Sequence, residues 1–188
     1  MVLVRYGLAL AVVIALSACA PPAHLRSAAL PPNAHSELGA AAVAVTPRPY
    51  VDEPTRRVLQ AWYTGRLSDR WAWSLIGAAD DGAALAGGAL SVQALRFERV
   101  TLGVELEGGV LWAAASVPVE LRGPGELRFY AAPKLGHWGP RLSPFVPVGL
   151  SAPLGAGVFL RAEVMWSWAE LQHYNARLHG SAGLAYAW

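Results

Sequence analysis

Two short stretches carry the side chains best suited to chemistry. "HGS" puts His179 and Ser181 two residues apart, so on an extended strand an imidazole and a hydroxyl share a face. Such a pair can support nucleophilic catalysis when an acidic or amide group orients the ring. Only seven residues follow Ser181, none of them acidic or an amide, which leaves Glu163 on a neighbouring strand to serve. The preferred reading is plainer: a polar pair lining an interior, because this spacing is unspecific. Arg161 and Glu163 also share one face of an apolar strand. They read as a selectivity or gating pair or, in preference, as structural ion pairing in a narrow bore. His24, His35, His137 and His173 fall in a tether and in loops. With Cys19 as the single cysteine and no paired carboxylates beside these histidines, no metal or cofactor is expected. "GAALAGGAL" lacks the basic residue and the strand-to-helix context of a phosphate loop.

The elements that position these groups are strands. From about Gly39 the dominant period is two. Val100, Leu102, Val104 and Leu106 oppose Thr101, Gly103, Glu105 and Glu107; Leu160, Ala162, Val164 and Trp166 oppose Arg161, Glu163 and Ser167. Short Gly, Pro and Asp connectors separate the segments: "LSDR", "DDG", "EGG", "GPG" and "PLGAG". "DEPTRRVLQAWYTG" admits a short helix, but a strand from about Val58 to Arg66 is preferred, since "YTGRLSDRWAW" reads as strand, turn, strand. Eight segments are clear: 70–79, 83–95, 99–107, 110–121, 125–134, 145–153, 157–169 and 176–188. Adding 39–48 and 58–66 keeps an even number and gives ten, the preferred count.

One apolar face per strand fits a soluble barrel with that face inside, or a membrane barrel with it outside. The opposite face here mixes small residues with charges of both signs. Glu105, Glu107, Glu120, Glu126 and Glu163 stand against Arg128, Lys134, Arg161 and Arg177, a set suited to pairing inside a lumen. Aromatics gather at strand ends: Trp71, Trp73, Trp166, Trp168, Tyr186 and Trp188. The fold class is therefore all-β, an antiparallel up-and-down transmembrane barrel of eight to ten strands. The "LSDR", "GPG" and "PLGAG" turns would be periplasmic. "DDG", "EGG", "KLGHWGPRLS" and "ELQHYNA" would face outward, short loops that argue against a large extracellular recognition role.

Composition agrees. The 188 residues are 54% hydrophobic and 15% charged, yet beyond the N-terminus no stretch is apolar over the length of a membrane helix. A net charge of +2 gives no reason to expect nucleic acid. Arg5 followed by the apolar run Tyr6 to Leu16 reads as a signal peptide. "LSAC" at 16–19 then resembles the lipobox of bacterial lipoproteins. That resemblance implies cleavage before Cys19 and diacylation of its sulfur. Ala20, in place of aspartate, implies sorting to the outer membrane of a Gram-negative envelope. The expected organisation is a signal peptide at 1–18, a lipidated, Pro- and Ala-rich periplasmic tether at 19–38, and the barrel at 39–188.

Three further resemblances bear on function. Ala182, Leu184, Tyr186 and Trp188 resemble the C-terminal β-signal read by the outer-membrane barrel assembly machinery, with tryptophan where phenylalanine is commoner. His179 and Ser181 resemble the catalytic pair of outer-membrane lipid A deacylases and phospholipases, in which the histidine is the base. Trp62 and Tyr63 in "QAWYTG" resemble half of the Gly-x-Trp-Tyr motif of lipocalins, with Gln60 in the glycine's place. The expected function is a structural or accessory envelope role, with outer-membrane lipid and an envelope complex as partners, or a narrow channel. A soluble lipocalin-like barrel for an apolar ligand is the alternative. A lipid hydrolase is the third reading.

Overall fold

The computed structural model describes residues 24–26, 30–31, 33–46, 54–79, 84–109, 112–138, 141–168 and 176–188. Among them, twelve strand segments follow one another: β1 (Ser36–Val45), β2 (Arg56–Arg66), β3 (Trp71–Ala79), β4 (Ala84–Arg96), β5 (Val100–Gly109), β6 (Trp112–Ser116), β7 (Val119–Arg122), β8 (Arg128–Ala131), β9 (Lys134–Trp138), β10 (Arg141–Gly155), β11 (Val158–Trp168) and β12 (Ala176–Ala187). The pairs β6/β7 and β8/β9 are single staves interrupted at Pro118 and Pro133, because proline cannot donate to the ladder. The result is a ten-strand antiparallel barrel. It closes where β12 pairs with β1, from Glu37 opposite Ala187 to Val45 opposite His179. Trp188 N–H donates to the Ser36 carbonyl at 3.0 Å, and His35 N–H donates to the Trp188 carbonyl at 2.7 Å, which extends the seam beyond the strands.

Several boundaries differ from the expected ones. β1 begins at Ser36, inside the stretch assigned to the tether. "EGG" and most of "KLGHWGPRLS" belong to strands rather than loops, which places His137 on β9. "DDG", most of "ELQHYNA", His173 and the signal-peptide region with Cys19 lie outside the described residues.

The faces settle inside from outside. Leu59, Leu75, Leu106, Leu121, Val148 and Leu184 are each at least 40% exposed, while Glu37, Gln60, Glu105, Glu120, Arg161 and Glu163 are at most 3% exposed. Charge is within and aliphatic surface is without. A soluble barrel has the reverse arrangement, so the lipocalin-like alternative is overturned, and Trp62 is a lumen residue. An aromatic band marks the end that carries the 67–70 turn: Tyr63 and Trp73 lie 5.3 Å apart, and Tyr186 stacks on Trp188 at 5.4 Å. Such rings suit a lipid–water boundary.

Large side chains fit the bore where glycine faces them. The Trp62 ring lies over Gly39 and Tyr130 over Gly149, so a Cβ at either glycine would come within 2.1 Å and 2.4 Å of ring carbons. Gly39→Val should destabilise the barrel by about 1–3 kcal/mol through overpacking. Gly180→Ala, where a Cβ meets nothing within 4 Å, should be close to neutral. The temperature at which each folded, heat-modifiable gel band is lost measures the difference. Equal temperatures would contradict the packing.

Candidate functional site in the lumen

The lumen wall is uneven. On β1–β4, Val43, Val58, Ala78 and Leu85 make an apolar patch toward the end away from the 67–70 turn, while Glu37, Gln60, Thr64 and Ser74 face the bore nearer that turn. On the β5–β11 side the inward positions carry Glu105, Glu107, Ser116, Lys134, Ser143 and Glu163. Strand alternation brings these residues to the inner face, each two positions from the next. Among the described residues, five buried carboxylates (Glu37, Glu105, Glu107, Glu120 and Glu163) face only three buried cations on strands (Arg128, Lys134 and Arg161).

The missing positive charge comes from the stretch read as a free tether. His24, Leu25 and Arg26 sit inside the barrel at 2% exposure or less. Arg26 N–H donates to the His24 carbonyl at 2.6 Å, and Leu25 has a positive φ of 45°, so the chain bends sharply around Leu25. The bend points two consecutive amides at one carboxylate: His24 N–H and Leu25 N–H each reach Glu163 at 2.8 Å. Tyr130 adds its hydroxyl to Glu163 at 2.9 Å. Arg26 places one nitrogen, Nη2, 2.6 Å from Glu105 and 2.7 Å from Glu107. Leu25 packs into the apolar side.

Arg161 and Glu163 therefore do not pair with each other. Arg161 donates to Glu37 and to the Leu25 carbonyl, with its guanidinium 5.6 Å from the Trp62 ring centre. Trp62 donates its indole N–H to Glu37 at 2.8 Å. Lys134 pairs with Glu107, and Arg128 approaches Glu120 at 3.4 Å. Burial, then the Lys134 and Arg26 cations, hold the His24 imidazole well below its usual pKa. The ring is neutral at pH 7, and its 3.6 Å approach to Glu105 is a polar contact rather than an ion pair. Burial works against the Arg26 charge, but Glu105 and Glu107 outweigh it and raise its pKa.

The remaining predicted positions sort as follows. Glu126 is exposed in the short 3₁₀ turn Pro124–Glu126 and takes no part in the lumen, because the chain turns there before β8 begins. Arg177 is on β12, its side chain outside the described set. Leu184, Tyr186 and Trp188 point outward. His179 is buried, and its hydroxyl partner is Ser167 on β11: Nε2 and Oγ are 2.7 Å apart. Ser181 instead turns its hydroxyl to the Glu163 carbonyl at 3.4 Å. His179 and Ser181 thus take different hydrogen-bond partners. Sequence reasoning missed Glu37, His24 and Arg26. Glu37 falls at the entry to β1, and no period marks the other two.

No family model matches the chain, and no curated protein matches it. Among solved structures it is similar to the transport unit of the autotransporter AIDA-I from Escherichia coli, at 9% identity and a TM-score of 0.48, over 96% of this chain and 97% of that one. The barrel assignment rests on this chain's own pairing and faces.

Ser167→Ala strips His179 of a buried hydrogen bond and should cost about 1–3 kcal/mol. Ser181→Ala, losing only a long contact, should cost no more than about 0.5 kcal/mol. Urea unfolding midpoints in lipid vesicles separate them. A larger loss at Ser181 would reverse the assignment.

Proposed function

We propose that this chain is a lipid-anchored outer-membrane barrel with a structural or accessory envelope role, its lumen closed at rest by its own N-terminal segment. The observation that carries this reading is the seating of His24–Arg26 across the bore, on Glu163, Glu105 and Glu107. A permanently open pore would leave those carboxylates to water. The lipid-facing surface supports integral insertion, and the lipobox-like "LSAC" supports acylation at Cys19. In this reading the end with the 67–70 turn is periplasmic, the barrel assembly machinery inserts the chain, and a partner envelope complex works from that side. A lipid hydrolase gains nothing from the geometry, since His179 and Ser181 do not meet as base and nucleophile.

Two tests address separate parts of the proposal. Cys19→Ser removes the acylation site; the protein should stay in the carbonate-washed membrane fraction with a heat-modifiable band. Its release to the soluble fraction would mean that the lipid, not the barrel, holds it. Leu106→Arg puts a cation on the lipid face, where the cost is about 2–4 kcal/mol at mid-bilayer. Folded yield in vesicles should fall accordingly, and unchanged yield would count against insertion.

A further inference from the structure

We propose that the lumen is a passage selective for small cations, held shut by the chain's own Arg26. The inference rests on the reading that the barrel spans a membrane. It goes beyond that reading by giving the bore a transported class and the N-terminal segment a gating role.

The charge of the wall is the first support. Without the segment, the described wall holds five buried carboxylates against three buried cations and the part-exposed Arg122, which lies 3.9 Å from Glu120. Glu105 would lose its guanidinium partner, and Glu163 would keep only the Tyr130 hydroxyl of its three donors. His24, being neutral, withdraws no charge when it leaves. Carboxylates lining a constricted bore favour cations over anions.

The way Arg26 is held is the second. Its side chain is 2% exposed, yet Nη2 alone makes both carboxylate contacts. Nε and Nη1 are buried without a hydrogen-bond partner among the described residues. Buried donors left unmade favour the state in which water reaches them. The seat thus fits a cation, and the occupant fills it incompletely.

The route is the third. A polar crevice runs from the 67–70 turn past Thr64, Ser74, Ser91 and Gln93 to the Arg26–Glu105 contact. At the rim, Arg66 is engaged by the Pro31 carbonyl at 2.8 Å, so the same segment also ties down a cation that would oppose entry. Beyond Arg26 the polar side continues through Glu107, Lys134 and Ser143. Past Arg26 the β1–β4 wall turns apolar at Val43, Val58, Ala78 and Leu85, the cluster to which Leu25 belongs. Water and ions would therefore follow the acidic wall.

The test uses full-length protein in planar phosphatidylethanolamine–phosphatidylglycerol bilayers under a potassium chloride gradient, after its heat-modifiable mobility has shown a folded barrel. Wild type should conduct rarely. Arg26→Gln should raise the conducting fraction about tenfold or more, with a reversal potential shifted toward that of potassium. Glu105→Gln with Glu107→Gln should also conduct, but with the reversal potential moved toward zero. Leu25→Ala, which loosens the apolar hold and keeps every charge, gives an independent route to the open state. Residues 25 and 26 lie outside the strands, so neither variant touches the barrel ladder. Folded, inserted Arg26→Gln and Leu25→Ala proteins that conduct no more than wild type would overturn the proposal, as would chloride selectivity in either. If Arg26→Gln does not insert, Leu25→Ala decides by the same criteria. Failure of wild type to fold into bilayers would count against the barrel-in-membrane reading instead.

Discussion

Everything in this molecule follows from one constraint: a backbone placed in hydrocarbon must satisfy its amides and carbonyls within itself. Strands can do so only by closing, and the β12–β1 seam is where closure happens. Nine residue pairs cross it, and the carbonyl and amide of Trp188 extend it to His35 and Ser36. Once the sheet is closed, side-chain alternation has only two destinations, lipid and lumen. The same period that puts Leu102, Val104 and Leu106 outside forces Thr101, Glu105 and Glu107 inside.

Closure also creates the electrostatic problem that the N-terminal segment resolves. Carboxylates inside a narrow bore lose most of their hydration, so each needs a donor or a cation close by. Glu120 has Arg128 near it, Glu37 has Arg161 and the Trp62 indole, and Glu107 has Lys134. Glu105 and Glu163 draw on Arg26 and on the amides of His24 and Leu25. The segment is thus a partner that the lumen wall already requires. What it supplies is local: Arg26 reaches Glu105, which no strand cation bridges among the described residues, and the amides of His24 and Leu25 reach Glu163. Leu25 adds an apolar hold on the other wall, so the bend is gripped from both sides.

The barrel was legible because its signal is periodic and repeated. Alternation over ten staves, with acidic residues on one face and aliphatic ones on the other, marks the strands and their outer side together. The interruptions at Pro118 and Pro133 cost little of this reading: even-numbered residues from Arg128 to Lys134 still point inward across the break. Glu126 was misplaced because the alternation was continued backward through "GPG", where Gly125 and Glu126 take a φ of 63° and turn the chain. The internal segment was not legible at all. "AHLRS" has no period, and its proline-rich flanks read as a spacer. Its partners lie 79 to 139 residues away, so their meeting depends on barrel geometry rather than local pattern.

The same logic explains why Ser181 was the wrong partner for His179. Residues i and i+2 on one strand share a face but stand about 7 Å apart, beyond hydrogen-bond reach unless both side chains lean together. Residues facing each other across neighbouring strands sit nearer, at about 4.5–5.5 Å between Cβ atoms. His179 lies directly opposite Met165, and Ser167 is its diagonal inward neighbour on β11, about 7–8 Å away backbone to backbone but within reach of a ring that leans across the strands. Contacts within the wall are thus made between strands, and a polar residue's partner must be sought across the register. Read that way, the barrel is a set of lateral pairs. The bend at Leu25 lies within that set without belonging to a strand, anchored on Glu163, Glu105 and Glu107 and packed into the apolar cluster.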